Sequence, residues 1–271
     1  MPARGINIIP TQSPNLPLGF LVYSLCMTQE LSQLSDIVFR AGQNAVLHKE
    51  GRTVDFKADG SHVTNVDRET EVWLKGELLP VWKGTNAWGE EYGFEPMGEN
   101  GLWLIDPIDG TTNFAHGLPL WGISVALMDL DGIRLGVIAL PELGVMMCAE
   151  RGKGAFWNGV SMPQIPEGEI KSSSLVSVNE RMKAAVPGKP RLSGAFVIDG
   201  AFTAKQYYRA LFGVNEKLYD IAASVLAARE LGAEIAFLDG TQFNEQDWAK
   251  DININRPWGI FPKRSQLFKF K

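Results

Sequence analysis

Cysteine and histidine are scarce: the 271-residue chain holds two cysteines, Cys26 and Cys148, and three histidines, His48, His62 and His116. That is too little for a disulfide framework or a zinc centre, and the expected location is the reducing cytoplasm. Basic residues are outnumbered, with 26 Lys and Arg against 31 Asp and Glu and a net charge of -5. A surface that coats nucleic acid needs clustered Lys and Arg, so no nucleic-acid partner is expected. Long apolar runs are missing too. The stretch from Leu16 to Cys26 is broken on its approach by Pro14 and Pro17, lacks a small-residue cleavage pattern after it, and is far too short to cross a bilayer. No membrane association follows, and residues 1–27 are read as an N-terminal extension outside the core, with Met27 as the natural start. Repeats, heptads and low-complexity tracts are absent as well.

What remains is an ordinary folded composition, 45% apolar and 21% charged, with an acidic excess that suits divalent cations. Residues 28–271 are expected to form one catalytic domain, its site drawn from segments 57–160 and 190–240. From Thr28 to Ala45, Leu31, Leu34, Val38, Ala41 and Ala45 recur at helical spacing behind a Thr28 cap. Thr64 and Asp67 form a helix-start pair ahead of a second helix that Pro80 should end. Short apolar runs at 102–105, 122–128, 134–140 and 145–149 are punctuated by Asp131-Gly132, Leu143-Gly144 and Asn158-Gly159, and predict an antiparallel meander. A polar connection over 161–189 carries one apolar piece near Val176. Helices over 201–212 and 221–231 and a strand over 234–238 complete the expectation, which is layered α+β.

The chemistry is concentrated in residues 103–114, WLIDPIDGTTNF. Pro107 has no amide donor and biases Asp106 away from helical geometry, so the strand should turn sharply and bring Asp106 and Asp109 to one side. Gly110 allows close backbone approach, and amides at 110–112 would cradle an anion. A phosphate beside two carboxylates needs cations between them, and hard oxygen ligands select magnesium or manganese. Such ions orient phosphate and acidify water in phosphoryl transfer. Because Mg²⁺ seldom has an all-protein cage, further carboxylates should come from other segments: Glu90-Glu91 and Asp220 are the evident donors. Without these neighbours, Asp106 and Asp109 would read as turn residues, Asp67 and Asp220 as helix-start residues and Glu91 as a solvated neighbour of Glu90.

The run Ile105-Asp106-Pro107-Ile108-Asp109-Gly110-Thr111-Thr112-Asn113-Phe114 resembles the first signature of the inositol monophosphatase family. Gly89-Glu90-Glu91, Val63-Thr64-Asn65-Val66-Asp67 and Tyr219-Asp220-Ile221-Ala222-Ala223 resemble three further segments, the last with Tyr219 in place of the usual Trp. The resemblance implies a layered α/β/α/β/α sandwich of mixed and antiparallel sheets, usually a homodimer, with two or three Mg²⁺ (Mn²⁺ as substitute) and commonly inhibited by lithium. It implies that Glu90, Asp106, Asp109, Asp220 and the Ile108 carbonyl hold metal, with Glu91 in support. Thr111 and Asp67 would activate the water, and the amides of Gly110, Thr111 and Thr112 would bind phosphate. The implied reaction is hydrolysis of a small phosphate monoester, inositol monophosphate or a similar polyol or sugar phosphate. Histidinol phosphate and fructose 1,6-bisphosphate are alternatives within the family, and a regulatory protein-binding role is the alternative of another class. The region from 161 to 195 is shorter than the family pattern. Inositol phosphatases of the family usually carry a ring-hydroxyl Glu a few residues before the second-signature Asp; the corresponding stretch here is Gly213-Val214-Asn215-Glu216, with Glu216 as the open candidate.

Overall fold

The computed structural model describes residues 27–58, 60–183, 185–249 and 253–265. The expected extension, Met27 apart, lies outside the described residues. Helix α1 (Gln29–His48) starts where the Leu31 amide donates to Thr28 Oγ1 at 3.2 Å, and it buries Leu31, Leu34, Val38, Ala41 and Ala45. After the exposed hairpin β1 (Val54–Phe56) and β2 (His62–Thr64), helix α2 (Asn65–Val81) opens with a reciprocal cap between Thr64 and Asp67. Pro80 does not end α2 before itself, as expected, but lies inside it. One residue from the end it forgoes a single helical bond, and Gly76, four residues earlier, has open space around it.

Strand β3 (Thr85–Gly89) runs parallel to β4 (Gly101–Asp109), and β4 leads into the short helix α3 (Thr111–Ala115). The expected meander follows, through β5 (Gly122–Asp129), β6 (Gly132–Leu140), β7 (Val145–Glu150), β8 (Gly154–Trp157) and β9 (Val160–Ser161). Side chains alternate across this seven-stranded sheet. Trp103, Ile105, Val125, Leu127 and Val137 pack with α1 and α2, while Leu102, Leu104, Ala126, Met128 and Ile138 face the opposite layer. Both faces are covered, which is why the strands read as continuous apolar runs.

The opposite layer is helical, and beyond it lies a second sheet. Its elements are β10 (Leu175–Val178), β11 (Lys189–Arg191), α4 (Phe196–Ala204), β12 (Ala210–Gly213), α5 (Leu218–Glu230), β13 (Glu234–Phe237) and β14 (Trp258–Phe261). The strand order is β11-β10-β12-β14-β13, with parallel and antiparallel pairs. The layered mixed architecture is as expected. On the outer face, Ile170, Met182 and Val186 from the short connection cover Val176, Phe212 and Phe261; among the described residues that connection has no helix. The helix expected over 201–212 is instead α4 ending at Ala204, a turn with Gln206 at φ 64°, and the buried strand β12. A buried four-residue apolar strand has no periodicity to separate it from a helix. No described helix is long and apolar enough to cross a membrane.

The approach of α5 to the sheet sets the position of Asp220. Gly136 in β6 faces α5 so closely that an added β-carbon would lie 2.9 Å from Ala223 Cα. Gly136→Val should therefore destabilise the protein by about 1–3 kcal/mol through overpacking. Denaturant unfolding measures this loss, and an unchanged midpoint would mean that α5 does not rest on β6 as described.

Candidate active site

Strand β4 pairs regularly with β5 from Leu102 to Asp106, then its register slips so that Asp109 faces Gly122. Pro107 makes no ladder bond, and the Ile108 amide turns back to Asp106 Oδ1 at 3.1 Å. The slip leaves two carboxylates at one strand end. Gly110 follows at φ 85°, where a β-carbon would stand 2.7 Å from Ala195 Cβ and 3.0 Å from the Leu120 carbonyl. Only glycine fits both the backbone and the space.

Glu90 is joined to the same strand end by its amide, which donates to the Ile105 carbonyl at 3.2 Å. Asp220 arrives in the first turn of α5, accepting from the Lys217 amide at 3.0 Å. Burial, then Glu90, Asp109 and Asp220, push the Asp106 carboxyl well above its usual range, and the Glu90 carboxyl lies within its hydrogen-bonding reach. Burial pushes Asp109 up to about 7 against the pull of the Val197 amide, which donates to it. Asp220 is raised well above its usual range by burial, Glu90 and Asp109. Lys57 meets this cluster: its Nζ lies 2.7 Å from Glu90 Oε1 and 2.6 Å from Glu91 Oε1. Burial opposes its charge, yet the two glutamates hold the ammonium above its ordinary value.

Among the described residues, no three His, Cys, Asp or Glu side chains close around one point as a metal cage would. The donor set nonetheless fits a hard cation. It consists of oxygens, it is largely enclosed, and its members repel one another.

Thr111 Oγ1 donates within reach of two acceptors, Asp67 Oδ1 at 3.0 Å and the Ile108 carbonyl at 2.9 Å. Asp67 is fully buried and also accepts from the Thr64 amide at 2.9 Å and the Thr64 hydroxyl at 2.5 Å. Burial raises its carboxyl, while the donors from Thr64 and Thr111 pull it down. Thr112 lies at the rim, its hydroxyl 3.1 Å from His62 Nδ1 and its carbonyl 2.9 Å from His116 Nδ1. Trp121 is fully buried, edge-on to Phe114 with centroids 4.8 Å apart.

Two contributors escaped the sequence analysis. Glu71, fully buried, accepts from the amides of Glu91 at 2.7 Å and Tyr92 at 3.3 Å, and so shapes the turn that presents Glu90. Gly89 makes room for it, since a β-carbon there would collide with Glu71 Oε1 at 1.9 Å. The available signal was an acidic residue four positions after Asp67 on the same helical face. Lys57, in the hairpin turn, gave none. Glu216 packs its carboxylate over Gly213, 2.7 Å from where a β-carbon would project, and accepts from Trp258 Nε1 at 2.9 Å and Asn179 Nδ2 at 2.5 Å. Tyr219 keeps an aromatic packing role, edge-on to Trp88 at 5.4 Å.

A two-sheet layered fold with clustered carboxylates at a strand end defines the class, a layered α/β phosphatase. The model of the inositol monophosphatase family matches residues 27–259, and the chain belongs to that family. It is 33% identical over 207 residues to an inositol-1-monophosphatase of Mesorhizobium japonicum, covering 70% of this chain and 77% of the relative. To a histidinol-phosphatase of Chlorobaculum parvum it is 35% identical over 152 residues, 55% of this chain and 59% of the relative. Among solved structures, an IMPase of Thermotoga maritima superposes with a TM-score of 0.77 at 24% identity, covering 90% of this chain and 96% of its own. The protein is thus a phosphoric monoester hydrolase.

The raised carboxyls make stability depend on pH. Asp109 moves from 3.8 to about 7 on folding, so the folded state holds its proton more tightly than the unfolded chain. Its contribution to stability is full below 3.8 and is lost as pH rises through about 7, with Asp106 and Asp220 shifted in the same direction. Chelator-treated protein should lose melting temperature between about pH 4 and pH 7, and Asp109→Asn should flatten that slope. Melting curves across this range test it; equal slopes for both proteins would contradict the assigned shift.

Proposed function

We propose that the protein hydrolyses the phosphate monoester of inositol or a similar polyol or sugar, using Mg²⁺ with Mn²⁺ as substitute. The observation that carries this reading is the approach of Glu90, Asp106, Asp109 and Asp220 around the strand end beside the Thr111–Asp67 hydrogen bond. Those four side chains and the Ile108 carbonyl would hold two or three ions, with Glu91 in support. Bound ions would neutralise substrate phosphate, acidify water and stabilise the leaving oxygen. Family membership supports the finer features of the reading: inhibition by lithium, a cytoplasmic location and a homodimer.

The chain's own groups divide the remaining work. The amides of Gly110, Thr111 and Thr112 would hold phosphate oxygens. Thr111 Oγ1, with its proton directed to Asp67 or to the Ile108 carbonyl, has lone pairs free to accept a hydrogen bond from the attacking water. As water oxygen bonds to phosphorus, its proton passes to Thr111 while the hydroxyl proton of Thr111 moves to Asp67. The ester P–O bond breaks with its electron pair on the ester oxygen, which takes a proton from solvent water and leaves as the alcohol. This relay is general-base catalysis, typically worth about 10²- to 10⁴-fold.

Histidinol phosphate is a second reading, favoured by the 35% identity to a histidinol-phosphatase and by the engagement of the Glu216 carboxylate with Trp258 and Asn179. Phosphate release from inositol 1-phosphate, histidinol phosphate and fructose 1,6-bisphosphate separates the substrates. Activity should disappear in chelator and return with Mg²⁺. Thr111→Ala should lower kcat by about 10²- to 10⁴-fold with metal affinity retained, whereas Asp106→Asn should weaken metal binding in calorimetric titration. Full turnover in excess chelator would defeat the metal reading, and wild-type kcat for Thr111→Ala would defeat the relay.

A further inference from the structure

Thr111 and Asp67 come from different helices, and their bond survives only if α3 and the start of α2 hold a fixed relation. One dipeptide spans both. The Arg52 guanidinium donates to the Ala115 carbonyl at the end of α3 twice, from Nε at 3.2 Å and Nη2 at 2.7 Å, and to the Lys49 carbonyl from Nη1 at 2.5 Å. Next in sequence, the Thr53 amide donates to Asn65 Oδ1 at 2.7 Å, and the Asn65 amide donates back to the Thr53 carbonyl at 3.2 Å. Asn65 is the first residue of α2, two before Asp67.

The electrostatics agree with the geometry. A helix end presents unsatisfied carbonyls, and a guanidinium placed on them supplies several donors together with a complementary charge. The same guanidinium lies 5.8 Å from the centroid of Phe114, and the buried Lys49 ammonium lies 5.7 Å from it while donating to the Leu118 carbonyl at 3.3 Å. Thus α3 is gripped at its far end, and the grip continues through the backbone of Thr53 into the helix that presents Asp67. We propose that Arg52 is a positioning residue for hydrolysis, which acts by keeping Thr111 on Asp67 through the Arg52–Thr53 bracket.

This inference rests on the relay assigned to Thr111, and the test separates the two. Arg52→Met should lower kcat roughly ten- to a hundred-fold, the scale on which small misplacements of reacting groups act. KM should change much less than kcat, because Arg52 donates to the Ala115 and Lys49 carbonyls and not to a group assigned to substrate or metal. Arg52→Lys should recover part of the loss, and Arg52→Gln provides a second variant should Arg52→Met fold poorly. If Arg52 acts through Thr111, Arg52→Met combined with Thr111→Ala should be no slower than Thr111→Ala alone. Two results would overturn the inference alone: wild-type kcat in folded Arg52→Met or Arg52→Gln, or losses that multiply in the double variant. Wild-type kcat in Thr111→Ala would overturn the relay and the inference with it.

Discussion

Like charges held together at the end of β4 constrain everything around them. Glu90, Asp106, Asp109 and Asp220 come from three separate stretches of chain, and Glu90, Asp109 and Asp220 all work against the ionisation of Asp106. Holding them there requires a scaffold that cannot relax outward. The register slip, the left-handed Gly110, the recess at Gly89 that admits Glu71 and the close seat of α5 on Gly136 meet that requirement. The ion pairs of Lys57 with Glu90 and Glu91 supply part of the missing positive charge. A divalent cation is the natural complement of the rest, and the family's chemistry exploits that complement.

Much of this was legible because the site is written locally. Asp106 to Thr112 form one contiguous turn whose Pro and Gly dictate the backbone, and Asp67 and Asp220 sit at helix starts where capping patterns announce them. The meander was legible for a similar reason, since Gly-containing turns punctuate it. Residues that act at a distance were not legible. Lys57, Glu71 and Arg52 direct their polar atoms at carboxylates, amides and carbonyls of other segments, and nothing in their immediate neighbours specifies those partners. Strand β12 was hidden because burial on both faces removes the alternation that marks a strand.

The second sheet meets the candidate site at one end. Its outer face is closed by Ile170, Met182 and Val186 from a short connection. Its inner end brings Gly213, Glu216, Asn179 and Trp258 together beside α5, and Glu216 contributes to raising Asp220. A change at Glu216 therefore reaches the Asp220 carboxyl directly.

These carboxylates are proposed to be the ligands of a divalent-cation centre. A crystal grown with Mn²⁺ and examined by anomalous scattering tests it most directly. Manganese peaks should lie within coordination distance of carboxylate oxygens of Glu90, Asp106, Asp109 and Asp220. Manganese bound elsewhere, with Lys57 still seated on Glu90 and no peak at the β4 end, would contradict it.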